Sequence, residues 1–225
     1  MKPETAVEAW ADGEPPLFDA DFIGRFEQLL RWRRDVRHFD SRALAEADMQ
    51  ALLQCAALAP SVGNSQPWRF VRLRSEALRA RLAGHIDAES ARAMAGYADP
   101  AQRAQYRALK LHGVREAPEL LAVFCDEQPE AGHGLGRATM PETLRYSCVL
   151  AIHNLWLAAR LRGIGLGWVS ILAPGVFSAM LEVPATWSPV ALLCIGYPVD
   201  ESNVPELERR DWQAREPWQD RVIER

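Results

Sequence analysis

Residues 33–40 read RRDVRHFD, three arginines within five positions with a carboxylate, Asp35, in their midst. Guanidinium forks match a phosphate monoester in geometry and in charge, so Arg33, Arg34 and Arg37 suggest an anion site. A fixed negative charge among them opposes that reading. Side chains of an extended segment alternate, which turns Arg33, Asp35 and Arg37 to one side if the chain leaves its helix at Arg34. Asp35 then faces whatever the arginines hold. A solvated helix end, with Asp35 paired to its neighbours, is the competing reading, and this stretch alone does not separate the two.

Upstream, DADFIGRFEQLLRWRR sets Phe22, Phe26, Leu29 and Leu30 at helical spacing, with Asp19 or Asp21 as the cap, so a helix delivers the arginines at its end. Downstream, SRALAEADMQALLQCAALAPS aligns Met49, Leu52, Leu53, Ala56 and Ala57 in one apolar stripe that Pro60 stops. The loop SVGNSQP then leads into a strand, WRFVRL. Residues 75–117 are charged and helical in pattern, and Gly96 and Pro100 break them into helices joined by a mobile segment. ELLAVFCD reads as a buried strand and EQPEAGHGLGRATMP as a loop. ETLRYSCVLAIHNLWLAARLRG, apolar on most sides, reads as a helix buried in the core or in a dimer interface. The strands GLGWVSIL and SPVALLCIGYP flank a short helix, GVFSAMLEV. The tail ESNVPELERRDWQAREPWQDRVIER carries tryptophans without a periodic core face and is expected to pack along another surface.

Alternating helices and strands give an α/β or α+β domain. With 225 residues, no internal repeat and no linker, one domain is expected, large enough to bury roughly 70% of its unfolded surface. A formal net charge of -4 gives no global attraction to nucleic acid or to an acidic membrane, so any anion site is local. No apolar run approaches the ~20 residues that span a bilayer, and MKPETAVEAW lacks the basic and then apolar pattern of a signal peptide. Cys55, Cys125, Cys148 and Cys194 lie apart in apolar segments and read as core thiols of a reducing cytoplasm.

Familiar motifs fail on spacing. GHGLGR has the wrong glycine intervals for a dinucleotide fingerprint, and Lys2 and Lys110, the only lysines, exclude a Gly-Lys-Ser phosphate loop. The five histidines show no metal-ligand spacing, and His153 on the long apolar helix reads as a core histidine. In APSVGNSQPWRF, by contrast, Ser61, Asn64, Ser65 and Gln66 crowd polar groups that could serve a planar heterocycle, although turn chemistry would choose the same residues. Gly165 and Gly167 in GLGWVSIL would allow close backbone approach to a ligand, and Ser170 would present a hydroxyl at the strand's end. A tightly packed strand is the plainer account of those glycines.

Taken together, the arginine stretch, APSVGNSQPWRF, the long helix before GLGWVSIL, CIGYP and a tail arginine resemble the flavin-dependent nitroreductase family, over roughly Phe22 to Trp212. That resemblance implies an α+β fold, a central mostly antiparallel sheet flanked by helices, in an intertwined homodimer with FMN at each interfacial site. It implies one FMN-binding domain over 1–225, with a lead-in at 1–18, a lid at about 85–110 and an extension at 199–225 packing on the partner subunit. Typical members carry RRSxRxF; here Asp35 replaces the serine. With LKLHG and GLGRATMPETL, that aspartate is similar to the branch of the family that fragments reduced FMN with dioxygen to make 5,6-dimethylbenzimidazole, the lower ligand of vitamin B12.

By the same resemblance Arg33, Arg34, Val36 and Arg37 surround the flavin phosphate, ribityl chain and pyrimidine edge. Ser61 and Asn64 contact it from the loop, Met94 from the lid, and Arg209 or Arg210 from the tail, with Arg209 favoured. Asp35 and Ser170 match the two polar residues needed for reaction, with Asp35 as a base kept ionised by its arginine neighbours. Reduction of FMN would come from a separate flavin reductase or from NAD(P)H. An NAD(P)H-dependent nitroreductase and a noncatalytic flavin-binding protein are the alternatives.

Overall fold

The computed structural model describes residues 15–225, so the first fourteen residues of the lead-in lie outside the described residues. Helix α1 (Ala20–Trp32) starts where Asp19 accepts a hydrogen bond from the Phe22 N–H, 2.8 Å away. It ends one residue earlier than the arginine spacing suggested, with Arg33 already extended and its N–H donating to Leu29 O at 2.9 Å. Helix α2 (Glu46–Ala57) buries Met49, Leu52 and Ala56, and a 3₁₀ turn at Val62–Asn64 leads into β1 (Trp68–Arg72).

Helices α3 (Glu76–Ala95) and α4 (Pro100–Ala108) part at Gly96, and Asp99 caps α4 through the Ala101 N–H. Then come β2 (Glu119–Asp126), α5 (Thr143–Leu161), β3 (Gly165–Val169), α6 (Pro174–Leu181), β4 (Trp187–Gly196) and the single turn α7 (Glu206–Arg209).

The four strands form one sheet in the order β1-β2-β4-β3, every pair antiparallel, which gives the expected α+β architecture. Strand β2 shows no polar alternation because both faces of the sheet are covered. On one face Leu121, Val123, Leu193 and Ile195 pack with Met49 and Leu52 of α2 and Cys148, Ile152 and Leu155 of α5. On the other, Leu120, Ala122, Phe124 and Leu192 pack with Leu82 and Ile86 of α3, and Phe177 of α6 stacks on Phe124 at 5.5 Å.

Helix α1 buries none of its residues: Phe22, Ile23, Phe26 and Leu30 are all exposed, as are Tyr146, Val149, Leu150 and Leu161 of α5. His153 is exposed too, contrary to the core reading, because it lies on the outer side of α5 rather than against the sheet.

The sheet edge β3 holds the arginine stretch. Asp35 forms a parallel bridge with Leu166, and the Val36 N–H donates to Leu166 O at 3.0 Å. A Cβ on Gly165 would come within 2.8 Å of Val36 Cγ2, and one on Gly167 would collide with the Val36 carbonyl oxygen. Both glycines therefore admit a close backbone approach, as their spacing suggests, but what approaches is the chain's own residue 36 rather than a ligand.

Candidate active site

Laying residues 33–37 along β3 puts Asp35 beside the Trp168 backbone, and the Trp168 N–H donates to Asp35 Oδ1 at 2.8 Å. Arg37 Nε donates to Asp35 Oδ2 at 2.9 Å, and the same guanidinium reaches the Lys110 carbonyl at 3.2 Å, just beyond α4. Arg37 thus holds the carboxylate with part of its guanidinium while lining the same cleft. The Trp156 indole N–H donates to Arg34 O at 3.1 Å, and the Arg33 guanidinium lies 4.6 Å above the Trp156 ring.

These supports leave Arg34 lining a cleft of about 120 Å³ together with Asp35, Val36, Arg37, Arg209 and Arg210. Arg210 is 3.9 Å from Glu206, whereas Arg209 makes no ion pair among the described residues. Buried Arg34 Nε has no hydrogen-bond partner among the described residues, an expensive state for a charged donor. Burial holds both Arg33 and Arg34 below the usual guanidinium range, and the positive charge of Arg215 adds to the effect. An anion in the cleft would meet the positive charge of Arg34.

The pKa of Asp35 is raised despite its arginine neighbours. Burial raises its carboxyl above the ordinary aspartate value, outweighing the opposing pull of Arg37, of the Trp168 N–H and of Arg33. The arginines do favour the ionised form, but desolvation is the larger effect, so Asp35 is a stronger base than its neighbours alone would make it.

Ser170 is exposed just past β3, two residues beyond Trp168. Its turn is held by the Leu172 N–H on Ser170 O at 3.0 Å and by the Ala173 N–H on His85 Nε2 at 3.0 Å. The remaining residues named from the sequence lie elsewhere in the chain. Ser61 Oγ accepts from the Gln66 N–H at 3.0 Å, and Asn64 lines a separate cleft with Gly63 and residues 132–136, so the polar loop spends part of its hydrogen-bonding capacity on itself. Met94 sits half-buried in the last turn of α3.

Trp156, Lys110 and His85 were not singled out from the sequence. Only Trp156 carried a signal there, an indole on an apolar helix whose N–H needs an acceptor when it is half-buried. Among the described residues no cluster of His, Cys, Asp and Glu could hold a metal ion.

The chain belongs to the Nitroreductase family, whose model matches residues 30–197, from the end of α1 to the end of β4. Within that family it is 56% identical, over 90% of this chain and 95% of the other, to the 5,6-dimethylbenzimidazole synthase of Rhodospirillum rubrum. A BluB-like flavoprotein from Clostridium difficile 630 superposes with a TM-score of 0.67 at 21% identity, covering 88% of this chain and 97% of that one. Oxidized iodotyrosine deiodinase bound to FMN and 3-iodo-L-tyrosine reaches the same TM-score at 23% identity, over 78% and 91% of the two chains.

Proposed function

We propose that this chain is a 5,6-dimethylbenzimidazole synthase, fragmenting reduced FMN in the presence of dioxygen to 5,6-dimethylbenzimidazole and D-erythrose 4-phosphate and so supplying the lower ligand of cobalamin. The observation that carries this reading is a basic carboxylate, Asp35, fixed by Trp168 and Arg37 at the wall of an arginine cleft. The identity to the Rhodospirillum enzyme supports it.

The residues present fit a flavin phosphate. Arg34, with its unpartnered Nε, and Arg209 would hold the phosphate, Arg210 would add charge from the same turn, and Arg33 and Val36 would border the ribityl chain. Reduced FMN bound there supplies both the carbon framework of the product and the electrons for dioxygen. A carboxylate oxygen offers two lone-pair sites, so after the Trp168 and Arg37 bonds each oxygen of Asp35 keeps one for taking up a proton. Ser170, on a turn fixed at both ends, would orient the reacting groups, while Met94 and its segment would exclude water as a lid over the ring.

A cleft of about 120 Å³ is smaller than the ~300 to 1,000 Å³ usual for a ligand of this size, so one chain takes only the phosphate end. A homodimer would complete the site, bringing Ser61 and Asn64 of the partner subunit to the flavin. The exposed apolar side chains of α1 and α5, which border a groove of about 520 Å³, support such an interface. The extension at 199–225, held to its own chain as far as Trp212, would pack on that partner beyond it. Reducing equivalents would reach FMN through a separate flavin reductase or NAD(P)H. Free cysteines support a cytoplasmic setting, and no helix among the described residues is long and apolar enough to cross a membrane.

The test mixes purified protein with chemically reduced FMN in air and identifies the products by mass spectrometry. Dimethylbenzimidazole with a tetrose phosphate, absent from the Asp35→Asn variant, is expected. Intact FMN with hydrogen peroxide would reject the reading and direct the next assay to nitroaromatic reduction by NAD(P)H.

A further inference from the structure

The tail does more than bring arginines to the cleft. After Arg209 and Arg210 the chain turns at Asp211, whose φ is 55°, and the Trp212 N–H donates back to Leu207 O at 2.8 Å. The Trp212 ring then inserts at the joint between α3 and α4, edge-on to Tyr97 at 5.8 Å and to Tyr106 at 6.1 Å. Those two rings lie 5.2 Å from each other, and Gln105 Nε2 donates to Asp211 O at 3.1 Å. Tyr97 follows Met94 by one hydrogen-bonded turn, its N–H donating to Met94 O at 3.3 Å. At its other end α7 is held by His38, next to Arg37, through Glu206 at 3.3 Å. One turn of helix thus connects the arginine cleft with the segment bearing Met94.

We infer that Trp212 is a positioning residue that makes phosphate recognition at Arg209 and Arg210 and ordering of the 94–108 segment a single event, so that this segment closes over phosphorylated flavin and not over flavin lacking the phosphate. The inference rests on the flavin reading of the cleft. It adds a linkage between two parts that the chemistry alone does not require to be joined. A phosphate drawing Arg209 and Arg210 inward fixes α7, and the turn that follows α7 carries the indole that completes the aromatic cluster. By reciprocity, loosening the cluster weakens phosphate binding, although Tyr97 and Tyr106 are not among the residues lining the arginine cleft.

The experiment compares oxidised FMN and riboflavin on the full chain by flavin fluorescence titration, and follows hydrogen exchange of residues 94–108 with each ligand. Wild type, Trp212→Ala, Trp212→Phe and Tyr97→Leu are used, each first shown by circular dichroism to be folded. Preference for FMN over riboflavin is expected to fall about five- to twentyfold in Trp212→Ala and in Tyr97→Leu, with Trp212→Phe close to wild type. Only FMN should slow exchange of the segment, and it should fail to do so in those two variants.

Tyr97→Leu keeps the inference testable if Trp212→Ala does not fold. An unchanged FMN preference alongside faster exchange in Tyr97→Leu would overturn the linkage, leaving the cluster as local packing. These readouts do not involve product formation, so a failed synthase assay leaves the inference standing, whereas wild type that does not distinguish FMN from riboflavin overturns it.

Discussion

Asp35 is the residue on which the proposed chemistry turns, and its environment sets opposing requirements. Burial raises its pKa while Arg37 lowers it, so removing Arg37 should raise it further. If ionised Asp35 is the base, the acid limb of the pH–rate profile lies above the ordinary aspartate range, and Arg37→Gln moves that limb to higher pH. A profile of dimethylbenzimidazole formation from pH 4 to 9 reads both. Asp35→Asn is expected to lower product formation by about 10²- to 10⁴-fold, with FMN affinity changed far less, since in the proposed site the arginines rather than the carboxylate would hold the phosphate.

The same shift has a sign for stability. A carboxyl whose pKa is raised by folding binds more protons in the native than in the unfolded chain, so its contribution is full at low pH and declines as pH climbs through the raised value. The stability of Asp35→Asn relative to wild type should therefore improve from pH 4 to pH 7 in urea titrations. Charge neighbours of Asp35 were visible in RRDVRHFD because they are two residues away. Its burial was not, because the enclosing backbone belongs to Trp168, 133 positions further on.

At the scale of elements, the contact between β3 and residues 33–37 is where backbone geometry becomes chemistry. Gly167→Ala would force the Val36 carbonyl away from the strand and with it the bond from Trp168 to Asp35. We expect it to cost about 1–3 kcal/mol in denaturant unfolding and to impair product formation more than a surface substitution of equal cost. What could be read in advance followed locality. Asp19 as a cap and the period of α2 needed only neighbours a few residues apart, and ELLAVFCD announced a strand covered on both faces. The glycines of GLGWVSIL announced a close approach without naming its partner, since Val36 is remote in sequence and meets β3 only through the sheet edge. Residues 75–117 gave two helices and a break; the aromatic clasp at that break depends on Trp212, over a hundred residues away, and could not be anticipated.

For the whole molecule, the apolar side chains left outside on α1 and α5 set an expectation about assembly. Phe26→Glu should shift sedimentation from dimer to monomer and reduce FMN binding in proportion, because Ser61 and Asn64 do not border the arginine cleft of their own chain. The four cysteines give a second test. The pKa of Cys148 is raised by its Cys125 neighbour and by burial, and burial pushes Cys194 up to about 12, so neither offers a thiolate at neutral pH. A disulfide reagent at pH 7.5 should reach Cys55, which lines the groove assigned to the interface, faster in Phe26→Glu than in wild type, and reach the other three only after unfolding. Alternating strands and helices narrowed the fold class to α/β or α+β and the family resemblance carried it to α+β, whereas the surfaces that a second copy would cover were not legible, since spacing along a chain carries no record of them.

Trp156 also has an optical consequence. Its indole is tied to the Arg34 carbonyl, lies under the Arg33 guanidinium and stands 6.5 Å from the ring of Trp168. Flavin absorption overlaps indole emission, so a flavin entering beside these rings would drain their excitation by energy transfer. The protein thus carries its own lamp beside the cleft, and the decay of its ultraviolet emission on mixing would time ligand arrival without any attached dye.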